Sequence, residues 1–147
     1  MIQRIQSLYL LLAAAAGAAA LSFDLWKATL SNSTNPVYVN ASSNYLLFVL
    51  YIVIILLSLA TIFLFKKRKL QFRLTIFNIL FGFGALACQY YVVQQTANKL
   101  STGGVAIVSA SYLPTAVLPI VIIILLFLAA RGIYKDEKLI KSLDRLR

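Results

Sequence analysis

The carboxylates of this chain are few enough to name: Asp24, Asp136, Glu137 and Asp144. There is no histidine, and Cys88 is the single cysteine. Acid–base, nucleophilic or metal-assisted catalysis needs such groups held together at fixed distances. Here three acids crowd the C-terminal tail and Asp24 stands alone. No spacing describes a catalytic dyad, a nucleophile with its base, or a metal-ligand set. The pattern predicts no catalytic, cofactor-binding or metal-binding residues and no cofactor, so the chain reads as non-enzymatic. One cysteine permits no intramolecular disulfide.

The polar residues that stand out are amides set in apolar sequence. Asn78, Gly82, Ala85 and Gln89 recur at spacings of four, three and four, which places them on one helical face. Ala13, Gly17 and Ala20 do the same nearer the N-terminus. In lipid, small residues let helix backbones approach closely and amides bond across helices. We expect both stripes to face a bundle interior and to complement each other. Asn78 and Gln89 also suit the wall of a ligand or ion path; interhelical hydrogen bonding is the plainer reading. Cys88 reads as a small buried hydrophobe.

The elements that would carry these residues follow from hydropathy. The chain is 61% hydrophobic, with a mean hydropathy of +0.87. A spanning helix needs about 20 apolar residues, and runs at 5–25, 45–65, 74–93 and 112–130 supply them. The connections are too short to hold a folded domain. The expected fold is an all-α membrane protein, one integral-membrane domain over residues 1–147 built as a four-helix bundle. Pro119 should kink the fourth span and free the carbonyl of Thr115, with Pro114 near the start of that span. Ile122 is expected to face lipid.

The first run, "LYLLLAAAAGAAALSFDLW", also resembles a signal peptide with an alanine-rich cleavage region. Its apolar character continues through Leu21, Phe23, Leu25 and Trp26, which favours a retained span. Trp26 suits the membrane interface, and Asp24 could pair with Lys27 if the helix reaches that far.

All of the 14 basic residues except Lys27 and Lys99 fall on one side of these spans. They comprise Arg4, the group Lys66, Lys67, Arg68, Lys69 and Arg73 between spans two and three, and six in the tail. Short loops rich in Lys and Arg stay cytoplasmic, so both termini are expected inside. A pI near 10 raises nucleic acid as a partner. The run "KKRK" sits at a membrane exit, where an orientation signal beside anionic headgroups explains it better. The lipid bilayer is the expected partner, and no nucleic acid.

In the expected outer loops, β-prone pieces at 28–30, 37–39 and 105–109 predict a small outward β element that joins them. The tail "YKDEKLIKSLDRLR" sets Leu139, Ile140, Leu143 and Leu146 on one side of a cytoplasmic amphipathic helix, ready to dock on the inner leaflet or on a partner. "NST" and "NAS" match the glycosylation acceptor pattern, which matters only in a secretory pathway.

The opening "MIQRIQSLYLLLAA" and the closing "KDEKLIKSLDRLR" resemble a domain family of unknown function. That family consists of small four-span inner-membrane proteins from Bacteroidetes-type bacteria. The resemblance implies a bacterial inner membrane, a retained first helix and no glycosylation. It transfers no functional residues. The two-loop layout is also similar in shape to claudin-like proteins, although the loop cysteines of that group are absent.

These features lead to the expectation of an accessory or structural subunit of a larger envelope complex, with other membrane-protein subunits as partners. The alternative is a small oligomeric transporter or channel for a solute or lipid. Against the alternative stand the lack of a repeated half, a charged ring or a broken-helix pair, and a polar stripe on the third span alone.

Overall fold

The structure is a computed structural model that describes residues 3–31, 35–65, 67–103 and 106–144, with side chains from residue 5 to residue 140 of these. Four helices carry the chain: α1 (Gln3–Ser22), α2 (Tyr45–Phe63), α3 (Arg68–Thr102) and α4 (Leu118–Asp144). All four are long and apolar enough to cross a membrane. Three strands, β1 (Asp24–Leu30), β2 (Val37–Asn40) and β3 (Ile107–Tyr112), form one antiparallel sheet in the order β2-β1-β3.

Each helix buries one seam at alternating steps of four and three. On α1 it is Gln6, Leu10, Ala13, Gly17 and Ala20; on α2, Leu47, Tyr51, Ile54, Ser58 and Thr61. On α3 it runs Gln71, Thr75, Asn78, Gly82, Ala85, Gln89; on α4, Ile122, Leu126, Ala129, Ile133, Asp136. This mean period of 3.5 keeps a seam facing its neighbours when helices wind left-handedly around one another. α1 packs on α2 and α4, and α3 packs on the same two. The stripes on α1 and α3 therefore lie on diagonal helices and do not form one complementary pair, as their spacing alone suggested. A Cβ on Gly17 would meet Ile55 Cγ1 at 3.0 Å, and one on Gly82 would meet Ile123 Cγ1 at 3.0 Å. Each glycine thus admits a branched side chain from an adjacent helix.

Helix boundaries depart from the hydropathy limits for local reasons. α1 stops at Ser22, whose hydroxyl donates to the carbonyl of Ala18 at 3.0 Å. The chain then turns directly into β1, so Asp24 and Lys27 are about 10 Å apart along an extended strand. Asp24 instead accepts a long bond from Asn40 Nδ2 at 3.5 Å. Asn44 caps α2, its side-chain oxygen accepting from the backbone N–H groups of Leu46 and Leu47. α3 continues to Thr102 because no glycine or proline interrupts "VVQQTANKLST". At 35 residues it is about 52 Å long, well beyond a hydrocarbon core of about 30 Å.

Pro119 does not kink a helix. A 3-10 turn at Pro114–Val117 precedes α4, and Pro119 is the second residue of that helix, where a missing N–H costs little. The carbonyl of Thr115 accepts from the backbone N–H of Leu118. Ile122 is fully buried, so it does not face lipid; Ile120, Val121, Ile124 and Phe127 are the exposed apolar residues there. The tail is no separate helix, because α4 runs unbroken to Asp144.

The sheet joins the α1–α2 and α3–α4 connections, as the β-prone pieces predict. Trp26 pairs with Val39 on one side and Tyr112 on the other. The ring of Trp26 is not at a surface. It is 3% exposed and packs with Ala28, Val39, Val92 and Val93 in a second core between the sheet and α3. Val105, in the expected third strand, lies outside the described residues.

Candidate functional site

Polar side chains meet along the α2–α3 seam in three tiers. Nearest the sheet, the Tyr51 hydroxyl donates to Gln89 Oε1 at 2.9 Å, and Gln89 Nε2 donates to the carbonyl of Ala116 at 3.0 Å. In the middle, Asn78 Nδ2 donates to Ser58 Oγ at 2.8 Å and to the carbonyl of Ile54 at 3.3 Å. At the opposite end, Gln71 Nε2 donates to the carbonyl of Thr61 at 3.2 Å. Asn78 Oδ1 is the buried side-chain polar atom without a partner among the described residues. The polar face is thus shared between α2 and α3 rather than confined to the third span. Between Asn78 and Gln89 it is interrupted by Gly82 and Ala85.

A cavity of about 230 Å³ opens at the basic end of the bundle. Gln6 and Ser7 of α1 line it, with Phe65, Arg68 and Gln71 at the α2–α3 connection and Ile133 and Asp136 of α4. Asp136 is 6% exposed, although its sequence context reads as a solvated tail. Gln6 Nε2 donates to Asp136 Oδ2 at 2.7 Å, while the Arg68 guanidinium stands 3.9 Å from the same oxygen. Gly132, one turn before Asp136, makes this reach feasible. A Cβ there would lie 2.7 Å from Gln6 Cγ. The glutamine therefore crosses α4 over a bare stretch of backbone.

Of the residues singled out from sequence, Asn78, Gly82, Ala85, Gln89, Ala13, Gly17 and Ala20 are all buried. Arg68, Lys69 and Arg73 lie on the first turns of α3 and Lys67 is its N-cap; Lys66 lies outside the described residues. Leu139 and Ile140 are exposed on α4. The side chain of Leu143 and all of Leu146 lie outside the described residues. Cys88 is half-buried and touches both cores. Among the described residues, no three of Cys, Asp and Glu gather as a metal-ligand set.

Sequence reasoning missed Gln6, Tyr51, Ser58, Thr61, Gln71, Gly132 and Asp136. A signal was present: except for Gly132, each falls on the four-three seam of its own helix. Asp136 follows Ile122, Leu126, Ala129 and Ile133 in that rhythm.

Residues 2–146 match a family described as a domain of unknown function, DUF4293. The chain belongs to the DUF4293 family. Comparison with curated proteins and with solved structures finds no match. The DUF4293 bundle therefore offers its own geometry as the guide to function: amide-bonded helices, a charged cavity at one end and a sheet at the other.

Proposed function

We propose that this DUF4293 protein is a non-enzymatic, four-span protein of a bacterial inner membrane, with both termini cytoplasmic, that acts as an accessory subunit of a larger envelope complex. The observation that carries this reading is α4, which continues without a break past the bundle to Asp144. Leu139 is 53% exposed and Ile140 40% exposed on that extension. A continuous helix of this kind presents exposed apolar residues beyond Asp136, which suits docking on a partner subunit.

Membrane insertion is supported by the belt of large apolar side chains on the outside of every helix, including Leu11, Leu56, Phe77, Leu80, Phe83 and Phe127. A belt of that extent in water would drive aggregation. Orientation is supported by the basic residues gathered at one end. Two of the four acids are held within the fold: Asp24 accepts from Asn40, and Asp136 accepts from Gln6 with Arg68 at 3.9 Å. The transporter alternative draws on the shared polar face of α2 and α3, but each amide nitrogen of that face donates to a neighbouring element: Gln71 and Asn78 to α2, Gln89 to the turn before α4.

The test is mild detergent extraction followed by native mass measurement of the wild type and of Leu139→Asp/Ile140→Asp. The expected result is a hetero-complex that the double substitution dissociates while the chain remains in the membrane fraction. A wild-type chain that always runs alone would overturn the accessory role and favour the transporter. Recovery from the aqueous fraction without detergent would overturn the membrane assignment itself.

A further inference from the structure

We propose that the cavity at the basic end binds the headgroup of a phospholipid that carries a primary ammonium beside its phosphate. The inference rests on the membrane reading above. Three observations carry it. The first is volume: 230 Å³ is far more than one or two waters require, at about 30 Å³ each. The second is a pair of opposite charges that are not clenched. Arg68 is 25% exposed and lies 3.9 Å from Asp136, whereas a direct charge-assisted bond is about 2.8 Å. An ammonium can take Asp136 and a phosphate can take Arg68, each closer than the two protein groups now stand.

The third observation is the start of α3. Its first turn holds no acidic residue, and Lys67 at the N-cap gives no side-chain cap. The first N–H groups of a helix carry partial positive charge and favour an anion. Here Lys67, Arg68 and Lys69 add further positive charge at the same point, a combination that a phosphate relieves. Phe65 and Ile133 supply apolar wall for the glycerol and the start of the acyl chains. Asp136 selects against a purely anionic lipid, and a primary ammonium can donate to it beside Gln6, whereas a quaternary ammonium has no N–H to donate.

The experiment uses the full chain in detergent, with bound lipid counted by native mass spectrometry. Dioleoyl phosphatidylethanolamine, phosphatidylcholine and phosphatidylglycerol compete at equal concentration. The wild type should retain phosphatidylethanolamine about tenfold over each of the others. Asp136→Asn should reduce that preference to within about twofold, and Arg68→Gln should weaken binding of all three. Ser7→Leu narrows the cavity and leaves every charged group in place, so it decides the matter if Asp136→Asn does not fold. Loss of lipid in Ser7→Leu supports the site, and unchanged retention overturns it. Equal binding of the three lipids to the wild type, or a preference that survives Asp136→Asn, also overturns it. Soluble glycerophosphoethanolamine that binds as tightly as the lipid would assign the cavity to a free small molecule instead. The isolated chain has no partner, so these results stand apart from the Leu139/Ile140 outcome.

Discussion

At the scale of single residues, burial makes each polar atom consequential. Tyr51→Phe deletes one methyl-sized hydroxyl but leaves Gln89 Oε1 without that donor inside the bundle. Interhelical hydrogen bonds in membrane proteins average about 0.6 kcal/mol, with a maximum near 1.7. Thermal unfolding in detergent should show a loss of about 1 kcal/mol for Tyr51→Phe. Gly132→Ala should cost more, about 1–3 kcal/mol, because a new Cβ 2.7 Å from Gln6 Cγ cannot be avoided by moving the tip of a side chain. The same change placed in a Gln6→Ala background should be nearly neutral. If Gly132→Ala is equally costly in both backgrounds, the crossing of Gln6 over α4 is not what the glycine permits.

At the scale of elements, close approach is the testable quantity. Gly82→Leu should force α3 and α4 apart, since even a Cβ meets Ile123 at 3.0 Å. Gly84, two residues on, has nothing within 4 Å of an added Cβ. Gly84→Leu is therefore the matched control and should unfold at the wild-type temperature. Equal melting of the two variants would remove the α3–α4 contact from the list of stabilising ones. The helices themselves were legible, because runs of about 20 mostly apolar residues declare a helix long enough to span without knowledge of the fold. So was the sheet, through β-branched pieces set between turn residues. Helix ends were not legible. The halt of α1 at Ser22 depends on Asp24–Leu30 finding two partner strands, and the reach of α3 to Thr102 passes through the polar stretch "QQTANKLST", which hydropathy does not read as part of a span. Asp136 was hidden for a similar reason: charge dominated its local sequence, while its burial is decided by Gln6, 130 positions away.

At the scale of the whole molecule, the orientation proposed from the basic residues is one that thiol labelling can read. In a Cys88→Ser background, Thr102→Cys should react with an impermeant reagent added to intact cells, and Lys69→Cys should react only after lysis. Both positions are exposed, so access rather than burial controls the outcome; the reverse pattern would invert the topology drawn from charge. The bonding pattern also separates the four helices into two couples. α2 and α3 are fastened by their three polar tiers, and α1 and α4 by Gln6 and Asp136. Between the couples the middle of the contact is apolar, with Gly17 against Ile55 and Gly82 against Ile123. Polar links across it lie at the ends, Arg68 to Asp136 and Gln89 to the carbonyl of Ala116. Hydrogen exchange in detergent should accordingly report α2 opening with α3, and α1 with α4. The bundle is built like a clamshell with bolted valves and a greased rim, fastened by one clasp at each end.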